Sequence, residues 1–211
     1  MSETPTHLPV NTWIPVSWQE YLQTLAELLN VEEKHYYYKG HMRLEMPPVF
    51  SDHAQDYMTI IFGISLFTTL KGISATGLDH TTFRKPKLED CQPDVAYYFQ
   101  KHPQSVPSGT KIVNLNRYPA PDLVIEIAKS SLLDDLGTKR SLYEDLGVPE
   151  YWVVDVQNTQ IIPYVMGDKG SKRVHESKVL PGLVMGILEQ ALRRSRETNQ
   201  SAIGADLLSY L

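Results

Sequence analysis

The chain has 211 residues, of which 42% are hydrophobic and 21% are charged, a composition typical of one globular domain with a sizeable core. The formal net charge of −5 gives no positive indication of nucleic-acid binding, although a local basic patch or a metal bound to acidic ligands can offset it. The single cysteine, Cys91, excludes an internal disulfide and any cysteine-based zinc site.

The composition divides the chain into one predicted domain and two irregular ends. Residues 1–16 are polar and contain three prolines, so little regular structure is expected there. The domain is predicted over residues 17–195, and residues 196–211 form a predicted C-terminal tail with a loose linker from Thr198 to Ala205. The polar start does not resemble a signal peptide and no apolar run approaches membrane length, which predicts a cytoplasmic protein without membrane contacts.

A helix and a β-hairpin are the first elements predicted. Ser17 and Glu20 have the spacing of a capping box, which predicts a helix to about Leu29. Residues 34–46 then place three tyrosines before Gly40 and alternating apolar residues after it, a pattern typical of a hairpin that turns near Gly40. The tyrosines favour cross-strand packing, and stacking on nucleic-acid bases is the alternative.

A long helix is predicted after the hairpin. Ser51 or Asp52 can begin it, and it extends through Leu70 with apolar residues over much of its circumference, which predicts a central, buried position. His53 lies in the first turn of this helix. A histidine there is either structural or part of a site, and the sequence alone does not decide between the two.

Short strands and a long loop follow. A strand is predicted from Ser74 to Arg84, and the basic run of residues 84–87 is either a solvated loop or a contact to a DNA backbone. Asp94 opens a second strand that runs to Phe99. The segment from Gln100 to Ala120 is long for a loop in a compact domain, which indicates a functional loop or an insertion.

The next predicted strand, Leu123 to Ile127, carries one acid in an otherwise apolar run. A carboxylate in a buried strand is costly unless it is paired, protonated or bound to a cation. Alternation along the strand places Glu126 on the same face as Val124 and Ala128. The small side chain of Ala128 leaves room for a ligand on that face.

A helix is predicted from Ser130 to Leu146, with Gly147 ending it. Lys139 projects into the apolar stripe of this helix, which is formed by Leu132, Leu136, Tyr143 and Leu146. Because such a stripe packs on a sheet, Lys139 is expected to point toward Glu126. The alternative is that Lys139 snorkels to water along the edge of the stripe, and Arg140 on the other flank makes Lys139 less distinctive.

Together, Asp94, Glu126 and Lys139 indicate a site for a divalent metal and a phosphate. Carboxylates are the natural ligands of magnesium, and a lysine supplies positive charge for phosphoryl oxygens. The remaining chain predicts a strand from Tyr151 to Val156, an edge strand containing Pro163, and a short helix from Val184 to Arg194.

The run PDLVIEI…DDLGTKRSLYEDLGVPEYWVVD, preceded by QPDVAYYF, closely resembles the Uma-two family of putative restriction endonucleases. That family belongs to the PD-(D/E)xK nuclease superfamily. The resemblance extends from the hairpin around Gly40, through His53, to the LPGL segment at Leu180 to Leu183. It implies an α/β (α+β) class, with a restriction-endonuclease-like mixed β-sheet flanked by helices and with an N-terminal helix and hairpin.

The resemblance also implies a site. Asp94 and Glu126 would bind Mg²⁺, with Mn²⁺ as the alternative ion, and Lys139 would orient or activate the attacking water. In the superfamily the lysine usually stands two residues after the second acid, where this chain has Ala128. In the Uma-type pattern it moves to the following helix, which matches Lys139. His53 would be an auxiliary residue that contacts either a metal ligand or the phosphate.

Two departures from the family pattern concern this site. Tyr36 stands where the first hairpin strand of the family usually has an acid, so this chain lacks the auxiliary metal ligand expected at that position. Lys129, Ser130 and Ser131 replace the usual Ser-Pro-Ser, and Lys129 is an alternative to Lys139, although its side chain should leave the strand on the face opposite Glu126.

These observations predict a Mg²⁺-dependent endodeoxyribonuclease that hydrolyses phosphodiester bonds of DNA. The alternative is a catalytically degenerate nuclease fold that acts as a nucleic-acid- or protein-binding module. The oligomeric state stays open, and a homodimer is one option by analogy with paired nucleases of this fold.

Overall fold

The computed structural model describes residues 9–28, 33–46, 50–100, 106–168 and 170–211. In these ranges the helices are α1 (Trp18–Glu27), α2 (Ser51–Leu70), α3 (Leu132–Leu136), α4 (Thr138–Asp145), α5 (Met185–Ser195) and α6 (Gln200–Tyr210). The strands are β1 (Ile14–Pro15), β2 (Lys34–Tyr38), β3 (His41–Glu45), β4 (Ala75–Asp79), β5 (Thr82–Lys85), β6 (Glu89–Cys91), β7 (Val95–Phe99), β8 (Ile112–Asn114), β9 (Leu123–Ala128), β10 (Glu150–Asp155), β11 (Gln160–Val165) and β12 (Lys172–Arg173).

The strands form two six-stranded mixed sheets. The hairpin sheet has the order β1-β3-β2-β6-β5-β8, and the central sheet has the order β12-β11-β10-β9-β7-β4. In the central sheet β9 and β10 are parallel, joined through α3 and α4, whereas β7 and β9 are antiparallel. The predicted α+β class is therefore confirmed, with two sheets where the sequence analysis expected one.

Alternation along β9 separates the two faces of the central sheet. Leu123, Ile125 and Ile127 pack against one hydrophobic core that includes residues of α2 and α5. Val124 and Ala128 belong to a second core with residues of β2 and α4. Glu126 therefore lies on the second side, between the central sheet, the hairpin and α4, as its position in the strand predicts.

The helix predicted from Ser130 to Leu146 is instead two helices. The chain leaves helical geometry at Gly137, where φ is −111° and ψ is −100°, and α4 begins one residue later. Glycine tolerates this backbone geometry, and a Cβ there would lie only 3.0 Å from the carbonyl oxygen of Leu133. The break places Lys139 in the first turn of its own short helix.

Several other segments differ from prediction. The strand expected from Ser74 to Arg84 divides into β4 and β5, and the predicted loop after Gln100 contains β8. The strand with Pro163 is covered by β12 over two residues, so it is not the last strand of its sheet. The first two differences reflect pairing with strands elsewhere in the chain, which local patterns do not encode, whereas β12 is the next strand after β11.

The loose linker predicted from Thr198 to Ala205 is wrong, because α6 occupies most of it. Asn199 caps this helix by accepting a hydrogen bond from the N–H of Ala202 at 3.0 Å. Ile203 and Leu207 lie one turn apart and are buried against α5 and α2. Among the helices of the described ranges, none combines the length and hydrophobicity needed to cross a membrane.

Candidate active site

A cluster of buried charges lies where β9, the hairpin and the helices α3 and α4 meet. This charge cluster consists of four carboxylates and two lysines, each at most 5% exposed: Glu45, Asp94, Glu126, Asp135, Lys34 and Lys139. Charged groups are rarely buried to this extent unless they are paired. Three members, Asp94, Glu126 and Lys139, are the predicted catalytic residues, and the structure brings them together.

Strand pairing sets the positions of the two predicted metal ligands. Asp94 immediately precedes β7, whose Val95 pairs with Ile125 of β9, so Asp94 lies beside Glu126. The Oδ2 atom of Asp94 also accepts a hydrogen bond from the N–H of Ile127 at 2.7 Å. The acid in front of one strand and the acid inside the next therefore share one region of the sheet.

Lys34 bridges these two carboxylates. Its Nζ donates to Asp94 Oδ1 at 2.9 Å and to Glu126 Oε2 at 3.0 Å, and it lies 3.9 Å from Glu45 Oε2. Burial alone would lower the pKa of Lys34, but Asp94 and Glu126 outweigh it and raise the pKa above its usual value. The ammonium group is therefore charged at neutral pH.

Hydrogen bonds hold the remaining carboxylate oxygen of Glu126. Its Oε1 atom accepts from the hydroxyl groups of Tyr36 at 3.0 Å and Tyr143 at 2.5 Å. Burial alone would raise the pKa of Asp94. The charge of Lys34 and the hydrogen bond from the N–H of Ile127 have a larger, opposite effect, so the pKa of Asp94 lies below its usual value. Asp94 is thus ionised, and both carboxylates are fixed in orientation.

Lys139 lies deeper in the cluster. Its Nζ donates to Glu45 Oε2 at 2.8 Å and lies 2.8 Å from Asp135 Oδ1 and 3.8 Å from Glu126 Oε1. Burial would lower the pKa of Lys139, but Asp135, Glu126 and Glu45 raise it well above its usual value. The side chain is fully buried, so it points toward Glu126 as expected and the snorkelling alternative is wrong.

The hairpin does carry an acid, but on its second strand. Glu45 of β3 pairs with Lys34 of β2, so both side chains lie on one face and enter the cluster. The Nε of Arg43 donates to Glu45 Oε1 at 2.7 Å, and Lys139 and Lys34 keep the pKa of Glu45 low despite its burial. The first hairpin strand thus has Tyr36 in place of an acid, while the second strand brings the carboxylate of Glu45 into the cluster.

A small cavity forms the opening of the site. It has a volume of about 30 Å³ and is lined by Lys34, Glu45, His53, Asp94, Lys129 and Ser130, among others. A volume of roughly 10–15 Å³ already holds one water molecule, so this cavity can take a small ion or water but not a nucleotide. A larger ligand would therefore lie outside the cavity, along its rim.

The structure also locates the other predicted candidates. His53 is buried in the first turn of α2 and lines the cavity, and its burial lowers its pKa even though the nearby Asp94 raises it. Lys129 lies at the rim, where its Nζ pairs with Asp52 and is 4.0 Å from the ring centre of Phe50. Lys129 therefore does not replace Lys139 inside the cluster.

His80, which no sequence pattern indicated, lies on the exposed side of Asp94. Its Nε2 is 3.7 Å from Asp94 Oδ1, and its Nδ1 contacts the carboxylate of Asp79. The side chain is 43% exposed, so it is accessible to a ligand. A left-handed backbone at His80, with φ of 45°, turns the chain between β4 and β5.

The donors that this site offers a divalent metal are mainly carboxylate oxygens. Within the described ranges, no three side chains of His, Cys, Asp or Glu are grouped closely enough to hold a metal ion. However, Asp94 Oδ1 and Glu126 Oε2 already share one cation, the ammonium group of Lys34. Carboxylate oxygens are the ligands that Mg²⁺ prefers, so Asp94 and Glu126 are the residues that would hold such an ion in place of the ammonium group.

The two mixed sheets with their flanking helices define an α+β protein, with the acid pair between the central sheet, the hairpin and α4. One solved structure with this fold is described as a "putative nuclease belonging to DUF820" from Anabaena variabilis ATCC 29413. It matches with a TM-score of 0.62 at 15% identity, over 84% of this chain and 99% of that chain. At this identity, the likeness shows a common fold.

The chain belongs to the Uma2 family, described as "Putative restriction endonuclease", which matches residues 18–200. This match confirms the resemblance found in the sequence. No curated protein matches the chain.

Proposed function

We propose that the protein is a metal-dependent endonuclease that hydrolyses phosphodiester bonds of DNA. The observation that carries this proposal is the convergence of Asp94 Oδ1 and Glu126 Oε2 on one cation position, at 2.9 and 3.0 Å. The family match and the fold support a nuclease. The ionised state of Asp94 supports a metal ligand, because a cation requires a deprotonated carboxylate.

In this proposal, Asp94 and Glu126 hold Mg²⁺ or Mn²⁺. Such an ion, when bound, would polarise a phosphoryl oxygen and lower the pKa of an attacking water. Tyr36, Tyr143 and the N–H of Ile127 keep the two carboxylates in position. This support matters because a metal site depends on the groups that orient its ligands.

Lys139 supplies positive charge next to Glu126 and holds Glu45. Its two partners at 2.8 Å enclose it, so contact with the attacking water requires exchange of one of them. The scissile phosphate would approach along the rim of the cavity, where Lys129 is partly exposed and paired with Asp52, and past His80, which is exposed beside Asp94. His53 would contribute from inside the cavity beside Asp94.

The test is single-turnover cleavage of supercoiled plasmid DNA with Mg²⁺, for wild type, Asp94→Asn and Glu126→Gln. We expect each variant to lose activity by about a hundredfold or more, on the order of removing one group that stabilises the transition state. Asp122→Asn is the matched control, because Asp122 also accepts a backbone N–H, that of Phe99 at 2.7 Å, but lies outside the charge cluster. Wild-type rates in both site variants would exclude this active site.

A second candidate is a non-catalytic binding module with the same fold. The position of Lys34 favours it, because a lysine between the two acids neutralises them without any metal. This candidate predicts that the wild type cleaves neither DNA nor RNA with Mg²⁺ or Mn²⁺, and that it binds nucleic acid or protein equally well with or without Asp94→Asn.

A further inference from the structure

Lys34 takes the place that a cation bridging Asp94 and Glu126 would take. The same two oxygens, Asp94 Oδ1 and Glu126 Oε2, lie 2.9 and 3.0 Å from its Nζ. Lys34 and a metal ion therefore compete for one position. An ammonium group in this position offsets the cost of burying two carboxylates side by side.

Lys34 also has somewhere to move, unlike Lys139. Lys34 lines the small cavity at the opening of the site, whereas Lys139 is fully buried. Glu45 Oε2 lies 3.9 Å from the Lys34 Nζ, so a small shift of the flexible stem would bring the ammonium group onto that carboxylate. The ammonium group of Lys34 would therefore stay close to a carboxylate throughout this movement.

The charge of the cluster favours such an exchange over expulsion of Lys34. Four carboxylates face two ammonium groups, and the charge of Arg43 beside Glu45 is balanced by Asp134 at 3.2 Å, so two negative charges are in excess when all of these groups are ionised. This excess equals the charge of one divalent cation. A metal could therefore bind while Lys34 moves within the cluster without leaving it.

We propose that Lys34 is a built-in counter-ion of the metal site, held between Asp94 and Glu126 and displaced toward Glu45 when a divalent metal binds. This inference rests on the proposed metal site. Lys34 thereby sets the metal affinity: the ion must replace an ammonium group that already makes two short contacts. The site would load only at metal concentrations high enough to overcome that competition.

The experiment measures Mn²⁺ and Mg²⁺ binding by calorimetry at pH 8, together with the metal-induced shift in Tm. Lys34→Met is expected to bind metal at least about tenfold more tightly than wild type, and to show a larger rise in Tm because its carboxylates lack a counter-ion without metal. Lys39→Met is the matched control from the same hairpin, since Lys39 pairs with Asp145 outside the cluster and its removal changes net charge equally.

If Lys34→Met does not fold without metal, Lys34→Gln carries the same test, because its amide can still donate to one of the two carboxylates. Affinity in the Lys34 variant equal to or weaker than that of the wild type would overturn the inference, as would equal tightening in Lys39→Met. Absence of metal binding in every protein would overturn both this inference and the proposed metal site. Tighter binding without any cleavage would support the role of Lys34 while contradicting the nuclease proposal.

Discussion

The pairing of Lys139 leads to a quantitative prediction about stability. The ammonium group is fully buried and lies 2.8 Å from Glu45, 2.8 Å from Asp135 and 3.8 Å from Glu126. Lys139→Met keeps much of the side-chain volume, so the cavity contribution is small, but it leaves Asp135 without its paired ammonium group and removes one of the cations beside Glu45 and Glu126. Removing one partner from a buried ion pair typically costs about 3–5 kcal/mol, and we expect a loss of unfolding free energy in this range.

The assay is urea unfolding at pH 8, with Arg140→Met as the matched control. Arg140 is the next residue of the same helix, is only partly buried, and lies 5.0 Å from the ring centre of Tyr164. Loss of such a cation–π contact should cost about 0.5–1 kcal/mol. The comparison therefore separates the buried ammonium group from a general effect of losing positive charge in α4.

Two further measurements sharpen this prediction. Adding Asp135→Asn to Lys139→Met removes one stranded carboxylate and should recover part of the loss, with a coupling of about 0.5–3 kcal/mol. The deficit of Lys139→Met should also shrink at pH 5, because unpaired buried carboxylates take up protons more readily in the folded state than in the unfolded state. A variant within about 1 kcal/mol of wild type at pH 8 would refute the pairing described for Lys139.

Three other predictions concern stability. Burial raises the pKa of Asp90 to about 7, so the folded state keeps a proton that the unfolded state has lost, and stability falls as pH rises. In the wild type this effect should lower the free energy of unfolding by about 2–3 kcal/mol between pH 5 and pH 8, and Asp90→Asn should abolish that decrease in urea unfolding. The same pH dependence in Asp90→Asn and wild type would contradict the prediction. Gly147→Ala should cost about 1–2 kcal/mol, because Gly147 adopts φ of 78° in the turn that ends α4; a thermal unfolding scan showing wild-type stability would argue against that strain. Tyr143→Phe should cost about 1.5–3 kcal/mol by removing the 2.5 Å hydrogen bond to Glu126, and a neutral result in chemical denaturation would mean that the bond contributes nothing.

Local periodicity was enough to orient two site residues. The two-residue period of β9 places Glu126 on the face away from α2, and the helical stripe places Lys139 toward that face. Asp94 was found because an acid at the start of a strand next to β9 lies near Glu126. The positions of these three residues follow from local geometry within a strand, within a helix or between neighbouring strands, so the sequence pattern could predict them.

The rest of the cluster depends on how the two sheets meet. Lys34 reaches Asp94 and Glu126 only because the hairpin sheet packs over this part of the central sheet. The alternation of residues 34–46 does not predict which surface of the central sheet the hairpin will face. Glu45 could have been found from the turn at Gly40, since that register pairs it with Lys34. Asp135 lies one helical turn before Lys139, but the break at Gly137 alters the spacing that a single helix would give.

The central claim is that Asp94 and Glu126 together hold a divalent cation. The most direct measurement is a calorimetric titration of Mn²⁺ into wild type, Asp94→Asn, Glu126→Gln and the control Asp122→Asn. The account predicts one site per chain in wild type and in Asp122→Asn, and its loss in both Asp94→Asn and Glu126→Gln, since each removes the charge of a shared ligand. Unchanged affinity in Asp94→Asn and Glu126→Gln would contradict it.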